Sequence, residues 1–78
     1  MKKVTIYTSP TCHFCHMAKD FFAEKGISFE EFDVASNLEK RKEMVEKSGQ
    51  MGVPVTIIDN ELVVGFDKEK LSKLLNIK

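Results

Sequence analysis

Val4-Thr5-Ile6-Tyr7-Thr8-Ser9-Pro10-Thr11-Cys12-His13-Phe14-Cys15 is the stretch on which both fold and chemistry turn. Val4, Ile6 and Tyr7 read as a short strand, Ser9-Pro10-Thr11 as a turn, and the cysteines as the opening of a helix. The chain has 2 cysteines, and both are here. At i and i+3 on a helix they share a face, with Cβ atoms at about the separation a disulfide requires. A bridge closing so short a loop removes little entropy from the unfolded chain and so adds little stability. Reversible disulfide chemistry is the better explanation. A thiol in a first helical turn also meets unpaired backbone N–H groups and the positive end of the helix dipole, which favour a thiolate.

Working outward, Phe14, Ala18, Phe21 and Phe22 form an apolar stripe expected to cover one sheet face, and Lys25-Gly26 suits a helix stop. Ile27 to Val34 reads as a second strand with imperfect alternation. Ser36 with Glu39 matches a capping box and predicts a half-exposed helix running to Ser48-Gly49, with Leu38, Met44 and Val45 as its apolar positions. Val55-Thr56-Ile57-Ile58, Asp59-Asn60 and Leu62-Val63-Val64 predict a hairpin. Asp67 is expected to cap a last helix whose Leu71, Leu74 and Leu75 face inward, with Phe66 and Leu71 at hydrophobic-staple spacing. The order is βαβαββα, an α/β fold. A right-handed crossover sets the first two strands parallel and adjacent in a four-stranded mixed sheet with helices on both faces.

At 78 residues the chain is expected to form a single domain, 1–78, around one modest core. Lys+Arg 12 against Asp+Glu 12 leaves no net charge, and with it no electrostatic case for nucleic acid or an anionic membrane. Met1-Lys2-Lys3 begins like a signal peptide, but Val4-Thr5-Ile6-Tyr7 is too short and too polar for a targeting core, so a cytoplasmic protein is expected. There, paired thiols are catalytic or metal-binding rather than structural. No long apolar stripe is left over after the core is assigned, and a monomer is expected.

Three motifs together resemble the glutaredoxin branch of the thioredoxin-like family over almost the full length. Tyr7 to Cys15 is similar to that family's strand, turn and active-site helix. Gly52-Val53-Pro54 resembles the stretch ending in a cis-proline that faces the cysteines, and Gly65-Phe66-Asp67 resembles the glycine turn before the last helix. The resemblance implies a dithiol-disulfide oxidoreductase with no bound cofactor, acting on disulfide-containing proteins. Glutathione or a thioredoxin reductase would supply the electrons. Cys12 is then the nucleophile and Cys15 the resolving thiol. Val53 and Asp67 match positions that in the family contact the substrate backbone and the amino end of glutathione. The chain also departs from the glutathione-using pattern. Ser9 stands where many members carry a lysine that holds a glutathione carboxylate, His13-Phe14 replaces Pro-Tyr, and Val64-Gly65 replaces a double glycine. The single-glycine turn is similar to that of small bacterial and archaeal members, and of the thioredoxin-reductase-dependent hydrogen donors of ribonucleotide reductase.

Each remaining candidate carries a plainer reading beside the functional one. His13 either stabilises the thiolate and makes the pair more oxidising, or is a solvated imidazole; His16 reaches toward Cys12 or is simply exposed. Pro54 is the cis-proline the resemblance implies or a trans proline opening an edge strand. Phe14 and Phe66 are both candidates for an apolar substrate-docking rim, with docking the first reading for Phe14 and core packing the first for Phe66. Cys12-His13-Phe14-Cys15-His16 also fits the C-x-x-C-H pattern of haem attachment, against which stand the strands and the missing export signal. Four soft or borderline ligands within five residues suit a metal module, but consecutive helical side chains diverge, and tetrahedral zinc draws on separated segments. The expected metal set is therefore none.

Overall fold

The structure, a computed structural model, describes residues 3–50 and 52–76. Its elements run β1(Val4–Thr8), α1(His13–Glu24), β2(Glu30–Asp33), α2(Leu38–Ser48), β3(Val55–Ile58), β4(Glu61–Val64) and α3(Lys68–Leu75). The sheet order is β2-β1-β3-β4. β1 pairs in parallel with β2, from Thr5↔Glu30 to Thr8↔Asp33. It pairs antiparallel with β3, and β3 antiparallel with β4. This is the thioredoxin-like arrangement, an α/β sheet of mixed sense, and it puts the strand leading to Cys12 in the interior of the sheet.

Alternation along the strands splits the core between the two sheet faces. Val4, Ile6, Ile58 and Val63 meet Ala18, Phe21 and Phe22 of α1 and Leu71 of α3 on one face. On the other, Tyr7 and Val55 meet Met44 of α2, with Val34 alongside. Met44 is wholly buried, while Leu38, at the helix start, is 67% exposed and contributes no core. The hairpin turns at Asp59, with φ 55. Phe66 and Leu71 bracket the Asp67 cap inside the first cluster, as the staple spacing predicts.

Two expectations are corrected. The second strand is shorter than Ile27 to Val34 because Ile27 still belongs to the end of α1. Its N–H donates to Phe22 O at 2.8 Å and that of Gly26 to Ala23 O at 3.1 Å, a Schellman close made possible by Gly26 at φ 69. The α2 cap is Asn37, not Ser36. Asn37 Oδ1 accepts the Lys40 N–H at 3.1 Å. Ser36 is instead committed to the preceding turn, where Asp33 Oδ1 accepts the Ala35 N–H and Ser36 Oγ lies 3.5 Å from Asp33 O.

Candidate active site

Cys12 is the N-cap residue of α1, in extended conformation at φ −89, ψ 110. Its Sγ accepts the backbone N–H of Cys15 at 3.2 Å, a bond that a thiolate accepts better than a thiol does. Cys12 is half-buried and Cys15 fully buried, and both are free thiols. The two therefore have unequal access, one open to solvent on its outer side and one sealed beneath it. Burial pushes the Cys15 thiol up to about 12, reinforced by the hydrogen bond and charge of Cys12, while a backbone bond from Ser9 and the Lys19 ammonium pull the other way.

The Val53-Pro54 peptide is cis, and Pro54 is buried. The Cys12 thiol lies 3.6 Å from Val53 O, as donor to that carbonyl. Gly65 N–H in turn donates to Pro54 O at 2.8 Å, so the turn before α3 is fastened to the segment that touches Cys12. Gly65 sits at φ 80, in the left-handed region that glycine enters most readily. Asp67 caps α3 by accepting the Lys70 N–H at 3.1 Å.

Phe14 stands 57% exposed on the first turn of α1. Phe66 instead packs edge-on against Phe21, with centroids 6.1 Å apart, so its main work is in the core. The exposed side of that contact closes a groove of about 350 Å³ lined by Met17, Asp20, Phe21, Glu24, Phe66 and Lys68. A larger depression, about 470 Å³, lies on α2 along Leu38, Arg41, Lys42, Val45 and Glu46 and includes none of the residues singled out around the cysteines. His13 contacts the Phe14 ring at 5.8 Å. His13 and His16 are both exposed. Among the described residues no three His, Cys, Asp or Glu side chains converge as a metal site.

Sequence reasoning passed over a polar layer below the cysteines. Thr8, at the end of β1, donates through Oγ1 to Glu31 Oε2 at 2.8 Å, and Lys19 Nζ donates to the same oxygen at 2.9 Å. Lys19 first, then Thr8, holds the Glu31 carboxyl below its ordinary range against the opposing effect of burial. The parallel register of β1 and β2 would have placed Thr8 near Glu31, but nothing in the sequence brings Lys19 to them. On the opposite face Tyr7 OH donates to Glu43 Oε2 at 2.7 Å. Gln50, also unforeseen, grips Gly52 ahead of Val53.

A cysteine pair of unequal burial at the head of a helix, faced by a cis-proline loop on a thioredoxin-like sheet, defines a thiol-disulfide oxidoreductase. The glutaredoxin family model matches residues 4–63. Glutaredoxin 3 of Escherichia coli K12 is 43% identical over 67 residues, covering 86% of this chain and 81% of that protein. The chain belongs to the glutaredoxin family. Among solved structures, a mutant of the thioredoxin-like protein BC3987 matches with a TM-score of 0.93 at 37% identity over 100% of both chains. NrdH-redoxin from Escherichia coli, described as a glutaredoxin-like protein with a thioredoxin-like activity profile, matches with a TM-score of 0.81 at 29% identity. That match covers 92% of this chain and 93% of the other. Among the described residues no helix is long and apolar enough to cross a membrane.

Proposed function

We propose that the protein reduces protein disulfides and glutathione mixed disulfides, with Cys12 attacking and Cys15 resolving. Cys12, as thiolate, attacks one substrate sulfur; the new S–S bond forms as the substrate bond breaks, and the departing sulfur takes a proton. Cys15 then loses its proton and attacks Cys12 Sγ, releasing the second substrate thiol and closing the Cys12–Cys15 disulfide. Two electrons and two protons pass to the substrate. A reductant, glutathione or a thioredoxin reductase, restores the dithiol. The observation that carries this order is the unequal burial of the pair: a substrate sulfur reaches half-buried Cys12, whereas Cys15 has 0% exposure and its thiol lies within hydrogen-bonding reach of Cys12.

Val53 presents its backbone to an extended substrate, Pro54 keeps that segment against Cys12, and Gly65 and Asp67 border the same opening. Phe14 supplies an apolar rim for a protein partner. His13 stands exposed beside Cys12 and against the Phe14 ring, on the same rim. The setting is cytoplasmic and the working unit a monomer.

A second reading, a hydrogen donor for ribonucleotide reductase recharged by thioredoxin reductase, is favoured by Ser9 in place of the glutathione-holding lysine and by the likeness to NrdH-redoxin. NADPH oxidation during reduction of a model disulfide separates the two. Turnover with glutathione and glutathione reductase supports the first; turnover only with thioredoxin reductase supports the second. Activity surviving in Cys12→Ser would end both.

A further inference from the structure

Val53 owes its position to a short relay of hydrogen bonds that starts at the end of α2. Gly49, at φ 71, ends the helix in the left-handed region. Ser48 Oγ accepts the Gln50 N–H at 3.3 Å and lies 2.9 Å from Gln50 O, which fixes the backbone of residue 50 to the last turn. The Gln50 side chain then closes on Gly52 from both sides. Its Oε1 accepts the Gly52 N–H at 2.7 Å, and its Nε2 donates to Gly52 O at 2.9 Å. A primary amide pairing with the N–H and C=O of one residue reproduces the two-bond exchange of an antiparallel strand pair, and it sets the plane of both peptides flanking that residue. The second of those peptides is Gly52-Val53. Val53 O, one residue further on, lies 3.6 Å from Cys12 Sγ.

Glycine at 52 is part of the device. A Cβ built there would lie 2.7 Å from Gln50 Oε1, so a side chain at 52 would push the flexible end of Gln50 out of its present place on the clamp.

We propose that Gln50 is a positioning residue for substrate: its amide clamp on Gly52 orients the Val53 backbone that an extended disulfide substrate pairs with beside Cys12. The inference rests on the proposed role of Val53 and deepens it. Gln50 touches neither cysteine, so its loss should weaken recognition of substrate and leave the sulfur chemistry alone.

The test compares wild type with Gln50→Ala, Gln50→Glu and Gly52→Ala, using a fluorescent peptide carrying a single mixed disulfide. Each net hydrogen bond contributes about 1 kcal/mol, roughly fivefold in a binding constant. Gln50→Ala should raise KM about fivefold or more with kcat within about twofold. Gln50→Glu, which keeps the acceptor for the Gly52 N–H and loses the donor to its carbonyl, should fall between the two. Gly52→Ala breaks the same clamp from the other end, so it should match Gln50→Ala, and the double variant should be no worse than either. Iodoacetamide needs no backbone pairing, and its rate of alkylating Cys12 should not fall in any variant. An unchanged KM in Gln50→Ala, additive losses in the double variant, or a parallel drop in alkylation rate would each overturn the proposal. Loss of activity in Cys12→Ser tests the proposed disulfide chemistry separately, since that result depends on neither Gln50 nor Val53.

Discussion

Cys12, Asn37 and Asp67 stand at the same place on three different helices. Each has extended backbone angles, and each accepts the N–H of the third residue on, at 3.2, 3.1 and 3.1 Å. Asn37 and Asp67 do so with oxygen, the usual choice for this position. Cys12 does so with sulfur, a weak acceptor as a thiol. The helices differ in how they are held elsewhere. α1 buries Cys15, Ala18, Phe21 and Phe22, whereas α2 buries Met44 and α3 buries Leu71. Where several buried side chains secure the helix, its cap is free to be chosen for reactivity; where one fully buried side chain is joined only by partly buried neighbours, the cap is chosen for strength.

The sharpest way to break this comparison is to make Cys12 an ordinary cap. Cys12→Ser keeps the acceptor and improves it, so reduction of a disulfide should fall below detection while the thermal midpoint stays level or rises. A clear fall in that midpoint would show that the sulfur is a structural cap after all. Next in size is the packing itself. Phe22→Ala should cost about 3–5 kcal/mol in denaturant unfolding, because the ring is fully buried between α1 and the sheet. A loss under about 1 kcal/mol would mean that α1 is not held by its core face.

Alkaline pH sharpens the contrast between the two cysteines. The buried Cys15 thiol has its ordinary value near 9.0 in the open chain and about 12 in the fold, so the unfolded chain gives up its proton first. The stabilisation is complete below about pH 9 and declines as pH rises toward 12. Tyr7, raised by burial and by Glu43, acts in the same direction. Reduced wild type should therefore lose stability with rising pH more steeply than Cys15→Ser, which retains only the Tyr7 contribution. Equal slopes would remove Cys15 from the account. The smallest effect belongs to the oxygen caps. Asn37→Ala should cost about 1 kcal/mol and leave disulfide reduction unchanged, as read by unfolding and turnover in parallel.

Element order, the parallel crossover and the cysteine helix were legible because each carries a local signal: period-two or helical spacing, turn residues, a cap. The Asp67 cap and the Phe66–Leu71 staple were legible for the same reason. Ser36 misled because two cap-competent residues are adjacent, and a hydrogen bond from the Asp33 turn, not propensity, decides between them. The start of β2 was blurred because Ile27 is apolar enough for a strand while its N–H belongs to a helix end. At the site, Cys12 and Cys15 announce themselves by spacing. Thr8, Lys19 and Glu31 do not, since their meeting depends on three elements converging. Gln50 was invisible for a different reason: its partners are the backbone N–H and C=O of Gly52, and a glycine has too many uses to single out this one.

The bond from the Cys12 thiol to Val53 O has one further consequence. A carbonyl that already receives a proton from its neighbour is a guarded mooring. On the proposed mechanism, when Cys12 gives up that proton the carbonyl loses its donor, and a substrate N–H can take the vacated place. On that reading, arming the sulfur and freeing a place at the berth are a single event.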